Sequence, residues 1–479
     1  MTDRTASVFG NEIDRKTIKS AEKSKMKYKK KYGDDSGANY VLGAESIGTL
    51  DFIGAKKLVF SDNGCKWDDR PLIVGNIRMG FGHYRISIAM ASCARALGFT
   101  PYWLDMAGFD ATGSKMIADQ NRLYSMGSKL SQKSKLFNAA MWEPLNSEGF
   151  RKLTYNAKDQ KNSELLVPIL SSVPKDIPYI ATHVWPSQAA VHAGMVNVVN
   201  AIPDNWPMAL HLSEGAVHTV QTQFAYLGYK TMNGFSDKPL KCIPEGQLKI
   251  TGRYVDHELL AGLESDNAKR AARAAEGRPM RFLMTVGGAG AGYEQFLGMV
   301  SHLIPYVKAK KAALFINFGD HRDVFERFRK DVPSGCLREF QNSYDLLKKH
   351  VADIGSSDAD GICAIFNENI FEAVYSTNLL MPECDVLITK PSELAYYPIP
   401  KLFMKHIGGH EVYGAVCSQE AGDGTFECPD VKDAKIMIDR LISEKDLYCH
   451  FVERINILKS HGEYDGGYNC VKLAAGIGI

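Results

Sequence analysis

Nowhere in the 479 residues does an uninterrupted apolar run approach the roughly 18 residues that a membrane span requires, so no segment is expected to cross a bilayer. The first residues, MTDRTASVFGNEIDRKT, hold no apolar stretch of the secretory kind. The ten cysteines stand singly between Cys65 and Cys470 without one Cys-x-x-Cys pair. That pattern argues against a zinc site and a disulfide framework, and suits a reducing cytoplasm. An excess of charge is missing too: 57 Lys and Arg against 55 Asp and Glu leave +2, so no global field points to nucleic acid. The dinucleotide fingerprint is incomplete, because Gly80-Phe81-Gly82 lacks the third glycine at the required offset, which disfavours an NAD enzyme.

What is present is an ordinary globular composition, 45% apolar and 23% charged, at a length sufficient for two or three domains. The organising stretch is Pro71 to Met106. Pro71 to Ile77 is a short apolar run rich in β-branched residues, as in a buried parallel strand, and Gly80 and Gly82 break it. From Tyr84 to Leu97 apolar and small residues recur at helical spacing, Gly98 stops the helix, and Tyr102 to Leu104 resumes as strand. In such a βαβ unit the turn lies at the carboxyl end of the strand, where open α/β sheets bind ligands and helix N–H groups favour anions. His83 is therefore expected at a crevice, although a histidine beside a glycine turn is often a satisfied surface residue.

Along the chain, residues 1–57 form a polar extension in which RKTIKSAEKSKMKYKKK, Arg15 to Lys31, is strongly basic. It reads as a solvated or disordered tail, the usual fate of a charge run, with contact to anionic lipid as the competing reading. A first α/β domain is expected over 58–260, with Leu58 to Ser61 as a short strand and a helical insert over about 108–172. Strand character returns at Ile177 to Thr182, where His183 occupies a strand end, and again at Met195 to Ile202, which stops at Pro203-Asp204. Glu264 to Arg278 is charged and alanine-rich, as in an interdomain helix or linker. A second α/β domain over 261–445 opens with the strand Arg281 to Val286, running into GGAGAG, Gly287 to Gly292, before a helix from Tyr293. Further strands are expected at Ala312 to Asn317, Cys363 to Phe366 and Asp385 to Thr389. A helix should start near Ser392 with Glu393 in its first turn, and a helical tail follows over 446–479. The fold class is thus α/β, with two Rossmann-like doubly wound domains facing a central cleft.

From about Pro71 to Leu441 the sequence resembles the inverting GT-B glycosyltransferases that include monogalactosyldiacylglycerol synthases, processive diacylglycerol glucosyltransferases and the lipid II N-acetylglucosaminyltransferase. Five pieces carry the resemblance in order: GFGHYRIS at Gly80, HVWP at His183, TGRYVD at Thr251, TVGGAGAG at Thr285, and ITKPSELAYYPIPKL followed by GGHEVYGA at Gly408. The resemblance implies His83 as general base or acceptor-orienting residue and Glu393 as the ribose carboxylate. It puts His410 and Glu411 near the donor sugar, Gly287 and Gly288 in the donor-side turn, and Phe366 with Asn367 where uracil meets backbone. Lys390 and Ser392 flank the donor loop, while Gly80, Gly82, His183 and Asp204 fall on the acceptor side. One departure stands out: only Pro391 and Ser392 remain between Lys390 and Glu393, a loop about four residues shorter than the family's, and Pro391 lacks the N–H that would bind phosphate.

The resemblance implies transfer of a hexose or N-acetylhexosamine from a UDP-sugar to a hydroxyl acceptor, of which a membrane lipid is the example its members suggest. The UDP-sugar would be co-substrate, without cofactor or nucleic-acid partner. Leaving-group charge would rest on helix N-termini and on Lys390 or Arg253 rather than on a metal, since no His/Cys ligand cluster of metal-binding spacing is evident. Two alternatives stay open: a UDP-sugar 2-epimerase, and a non-catalytic GT-B relative that binds a nucleotide or protein partner. The location implied is cytoplasmic, with the inner face of a membrane as a peripheral site.

Overall fold

The computed structural model describes residues 4–287, 292–333, 335, 337–355 and 357–479. It divides into two units: Met1–Asp256 with Gly408–His410 and Asp465–Ile479, and His257–Ile407 with Glu411–Tyr464. Both are doubly wound α/β sheets, the fold class expected from the sequence.

The first unit begins with a two-residue hairpin, β1 (Ser7–Val8) and β2 (Asn11–Glu12). Its main sheet holds β3 (Leu42–Ser46), β4 (Lys56–Phe60), β5 (Pro71–Asn76), β6 (Thr100–Asp105), β7 (Tyr179–Ala181), β8 (Val198–Ala201), β9 (Val217–Val220) and β10 (Leu248–Ile250). The spatial order is β10-β9-β8-β7-β5-β6-β4-β3, and every pairing is parallel except β3 with β4. The central strands are buried on both faces, which is why their sequences read as continuous apolar runs.

The basic segment is not a solvated tail. Arg15–Tyr32 forms helix α1, capped by Asp14, whose carboxylate accepts the Thr17 N–H at 2.9 Å. Ala21 and Tyr28 are buried, and ion pairs fasten its inner side: Lys25 to Glu164, Lys31 to Asp119, and Glu22 to Lys161 at 2.8 Å. Two further helices of this unit matter below, α2 (Gly82–Ala96) and α3 (Thr112–Lys133). The C-terminal helix Gly466–Ala474 also belongs to this unit. A Cβ on Gly466 would come within 2.1 Å of the Gly252 carbonyl, so only glycine permits that approach.

The second unit holds β11 (Met280–Thr285), β12 (Ala312–Asn317), β13 (Leu337–Gln341), β14 (Ile362–Phe366), β15 (Val386–Thr389), β16 (Lys401–Met404) and β17 (Gly424–Cys428). They lie in the order β13-β14-β12-β11-β15-β16-β17, all parallel. The segment read as an interdomain helix or linker is a helix, Leu263–Glu276. Its Arg270 and Arg273 are buried, with Arg270 Nε donating to the Cys384 carbonyl at 2.8 Å and Arg273 Nε to Asp385 at 3.0 Å. The helix expected at Ser392 is a single 3₁₀ turn, Glu393–Tyr396, because Pro398 and Pro400 follow and forbid continuation. No helix among the described residues is long and apolar enough to cross a membrane.

His218 on β9 makes the first unit acid-sensitive. It is fully buried; Nε2 accepts the Ser213 N–H at 2.9 Å, and Nδ1 lies 3.2 Å from the Gln247 carbonyl, to which it can only donate. Burial lowers its pKa from 6.5 to about 4. The unfolded chain takes up this proton below pH 6.5 and the folded chain only near pH 4, so stability is intact at neutral pH and is lost as pH falls through that window. The gap corresponds to about 3 kcal/mol. His218→Gln should therefore flatten the fall of Tm on acidification from neutral pH to pH 4, and an unchanged slope would refute the assignment.

Candidate functional site

In each unit, expected site residues gather where the strand order reverses. In the first, β5 is followed by β6 on one side, while β7 lies on the other. Connections leaving neighbouring strands in opposite directions open a crevice at their carboxyl ends. Gly80 follows β5 with φ of 71°, a left-handed conformation that glycine adopts without strain, and Gly82 opens α2. His83, the second residue of α2, reaches across the switch: its Nδ1 lies 2.7 Å from the carbonyl of Thr182, the residue just after β7. A carbonyl only accepts, so neutral His83 carries its proton on Nδ1 and its lone pair on Nε2, the nitrogen that can take a proton. Thr182 is itself fixed, its N–H donating to the Gly75 carbonyl at 3.0 Å and its hydroxyl 2.8 Å from Ser87 Oγ.

His183 takes the opposite tautomer. It caps the helix α4 (Val184–His192), and its Nδ1 accepts the Trp185 N–H at 3.2 Å, which leaves the proton of the neutral ring on Nε2. Burial, reinforced by His83 and His211, holds its pKa well below 6.5. The two imidazoles meet edge to face, with centroids 4.8 Å apart and planes at 81°. Asp204, beyond β8, lies 3.2 Å from His211 Nε2, and His211 Nδ1 lies 2.7 Å from the Tyr229 hydroxyl. Burial raises the Asp204 pKa, but the His211 contact and neighbouring imidazoles more than offset this, so the carboxyl stays ionised below its ordinary range. At the same switch, Asn76 ends β5 with both amide atoms buried and without a protein partner, an arrangement that an ordered water or a ligand hydroxyl would satisfy.

In the second unit, β11 has β12 on one side and β15 on the other. Thr285 and Thr389, which end β11 and β15, join hydroxyls at 3.0 Å across this switch. Gly287 sits against Lys390, since a Cβ there would lie 3.1 Å from Lys390 Cε; Gly288 lies outside the described residues. Lys390 pairs with Glu411, whose other oxygen accepts the Ile407 N–H at 2.9 Å. The Ser392 N–H donates to the Lys390 carbonyl at 2.9 Å, turning the chain into Glu393, which is half-buried. His410 belongs instead to the first unit, with Gly408, over which its ring packs: a Cβ on Gly408 would meet it at 2.6 Å. Phe366 and Asn367 are not brought to this switch: Phe366 ends β14, two strands from β11, Asn367 follows it, and both are buried. The Phe366 carbonyl already accepts from the Asn342 N–H and the Asn367 N–H donates to the Gly319 carbonyl, while the buried Asn367 Oδ1 has no hydrogen-bond partner. Arg253 is also buried, within the first unit.

Thr182, Asn76 and His211 were not singled out from the sequence. Thr182 directly precedes the HVWP piece, but the tautomer it imposes on His83 is a contact 99 positions away in the chain. No group of three or more His, Cys, Asp or Glu side chains that could hold a metal occurs among the described residues.

Residues 7–231 match the family model described as domain of unknown function DUF6937, and residues 243–475 match that described as domain of unknown function DUF6938. No curated protein matches the chain. Among solved structures, the S. aureus MnaA–UDP co-structure aligns at 13% identity and a TM-score of 0.45, covering 84% of this chain and 94% of the other. UDP-GlcNAc 2-epimerase from Neisseria meningitidis bound to UDP-GlcNAc gives 12%, 0.43, and coverage of 85% and 97%. An α,α-trehalose 6-phosphate synthase from Burkholderia multivorans gives 12%, 0.41, and coverage of 85% and 99%.

Proposed function

We propose that the chain is a UDP-sugar-utilising enzyme that transfers a hexosyl group to a hydroxyl acceptor, with His83 as general base. The observation that carries this reading is the Thr182 carbonyl on His83 Nδ1, which supports Nε2 as the basic nitrogen at the switch point of the first unit. In the step proposed, the acceptor hydroxyl gives its proton to Nε2 while its oxygen bonds to the anomeric carbon. The bond from that carbon to the diphosphate breaks, UDP departs with the electron pair, and the configuration inverts. Neutral His183, an Nε2–H donor beside His83, would orient the acceptor oxygen. In the second unit, Gly287 and the half-buried Glu393 at the β11/β15 switch are the proposed contacts for diphosphate and ribose. Membrane lipid is the acceptor class to which the sequence resemblance points.

A second reading, a nucleotide-binding relative without catalysis, draws support from the same loop. Pro391 offers no N–H to phosphate, and Glu411 neutralises Lys390, the cation best placed for the leaving group. Calorimetric titration with UDP separates the contributions. Measurable affinity that falls about tenfold in Glu393→Gln, as expected for losing a hydrogen bond of a charged group to the ribose, supports the proposed contact. Equal affinity of both proteins would remove Glu393 from the site.

A further inference from the structure

We infer that the first unit carries a docking surface for an anionic membrane, made by the outer face of α1 and the apolar insert beside it. On α1, Arg15, Lys19, Lys23 and Lys27 recur every four residues, with Lys16 and Lys30 alongside, so the six cations share one solvent-exposed face. The acidic partners of this helix, Glu164, Asp119 and Asp34, are taken by Lys25, Lys31 and Lys29, and its own Glu22 by Lys161. A row of one sign on an exposed face is an electrostatic footprint.

The second observation is independent of charge. Leu123, Met126, Leu130, Leu136, Met141 and Leu145 are all exposed, Leu136 by 80%. They fall within α3 and the short helical turns that follow it, Lys135–Phe137, Asn138–Trp142 and Leu145–Gly149. The two elements meet at the Lys31–Asp119 ion pair. Asp119, which binds Lys31 at the end of α1, starts the stripe on α3 that runs on through Leu123, Met126 and Leu130 at helical spacing. Concentrated exposed apolar surface next to a basic helix is what an interfacial segment needs, with leucine and methionine entering the acyl boundary and lysine remaining among headgroups.

Two other occupants fit less well. In a two-fold self-interface the six cations would face their own copies, and like charges repel. A nucleic acid would favour stacking aromatics and arginine forks, whereas this face is five lysines to one arginine and its exposed apolar member is Met26. The docking surface deepens the acceptor half of the reading above by bringing the first unit to a lipid surface.

Co-sedimentation of the full chain with vesicles tests it. Binding is expected to phosphatidylglycerol-containing vesicles, not to pure phosphatidylcholine, and to weaken in high salt. The Lys19→Gln/Lys23→Gln/Lys27→Gln variant should bind about a hundredfold more weakly, roughly fivefold per charge. The Leu123→Gln/Met126→Gln/Leu130→Gln variant should also bind more weakly while keeping the salt dependence. Thermal melting and UDP affinity, read on the same samples, should match the wild type. Failure of the wild type to sediment, or sedimentation of both variants like the wild type, would overturn the inference. So would a wild-type mass of two chains that halves in the leucine variant, or release of the chain from the anionic vesicles by single-stranded RNA. UDP binding without vesicle binding rejects this inference alone, and vesicle binding without UDP binding rejects the nucleotide-sugar reading alone.

Discussion

Replacing His83 by alanine should lower the rate of sugar transfer by about 10²–10⁴-fold, the contribution typical of a positioned general base, while leaving UDP affinity where it was. The expectation rests on geometry. Thr182 sets the tautomer, and Ser87 Oγ, which donates to the His83 carbonyl at 2.7 Å, ties the first turn of α2 to the end of β7. Loss of the ring removes the acceptor nitrogen without removing those backbone anchors. Single-turnover transfer rates of His83→Ala and His83→Gln, beside their melting curves, check the prediction. A variant that melts like the wild type and transfers at the wild-type rate excludes His83 as base.

The largest stability effect should come from Lys401→Met in the second unit. Lys401 and Asp423 are both fully buried and pair at 2.9 Å. The ammonium also donates to the carbonyls of Tyr397 at 2.8 Å and Ile399 at 3.1 Å. Asp423 accepts from Ser418 at 2.5 Å and Tyr464 at 3.1 Å. Removing one member strands the other charge in the interior, which costs about 3–5 kcal/mol, while replacing both by apolar residues of similar volume costs far less. Urea unfolding of Lys401→Met, Asp423→Leu and the double variant checks this. A double variant as destabilised as the sum of the singles would contradict it.

The sequence made legible whatever depends on neighbours in the chain. Ala312 to Asn317 was read as a strand with the bounds of β12, since a strand buried on both faces needs an unbroken apolar run. β13 escaped because LREFQ is an edge strand whose Arg338 and Glu339 stay exposed. β16 escaped because its lysine is buried by a partner 22 residues away. The basic segment shows the same limit: its few apolar positions gave no helical stripe, and the acids that order it, Asp119 and Glu164, lie far along the chain.

The candidate site divides in the same way. Glycine turns after strands marked His83 and Gly287, and the end of an apolar run marked His183. That β7 lies beside β5 and β15 beside β11, making both positions switch points, is a property of sheet order that the sequence does not display locally. The tautomers of the two histidines follow from Thr182 and Trp185, contacts that only coordinates supply.

Proton NMR of a UDP-sugar mixed with the protein and a hydroxyl acceptor tests the central claim most directly. The predicted result is acceptor-dependent release of UDP, with the sugar bound to the acceptor oxygen in inverted anomeric configuration. A UDP-sugar that stays intact with the acceptor present, or one whose C2 configuration changes without any acceptor, would contradict it.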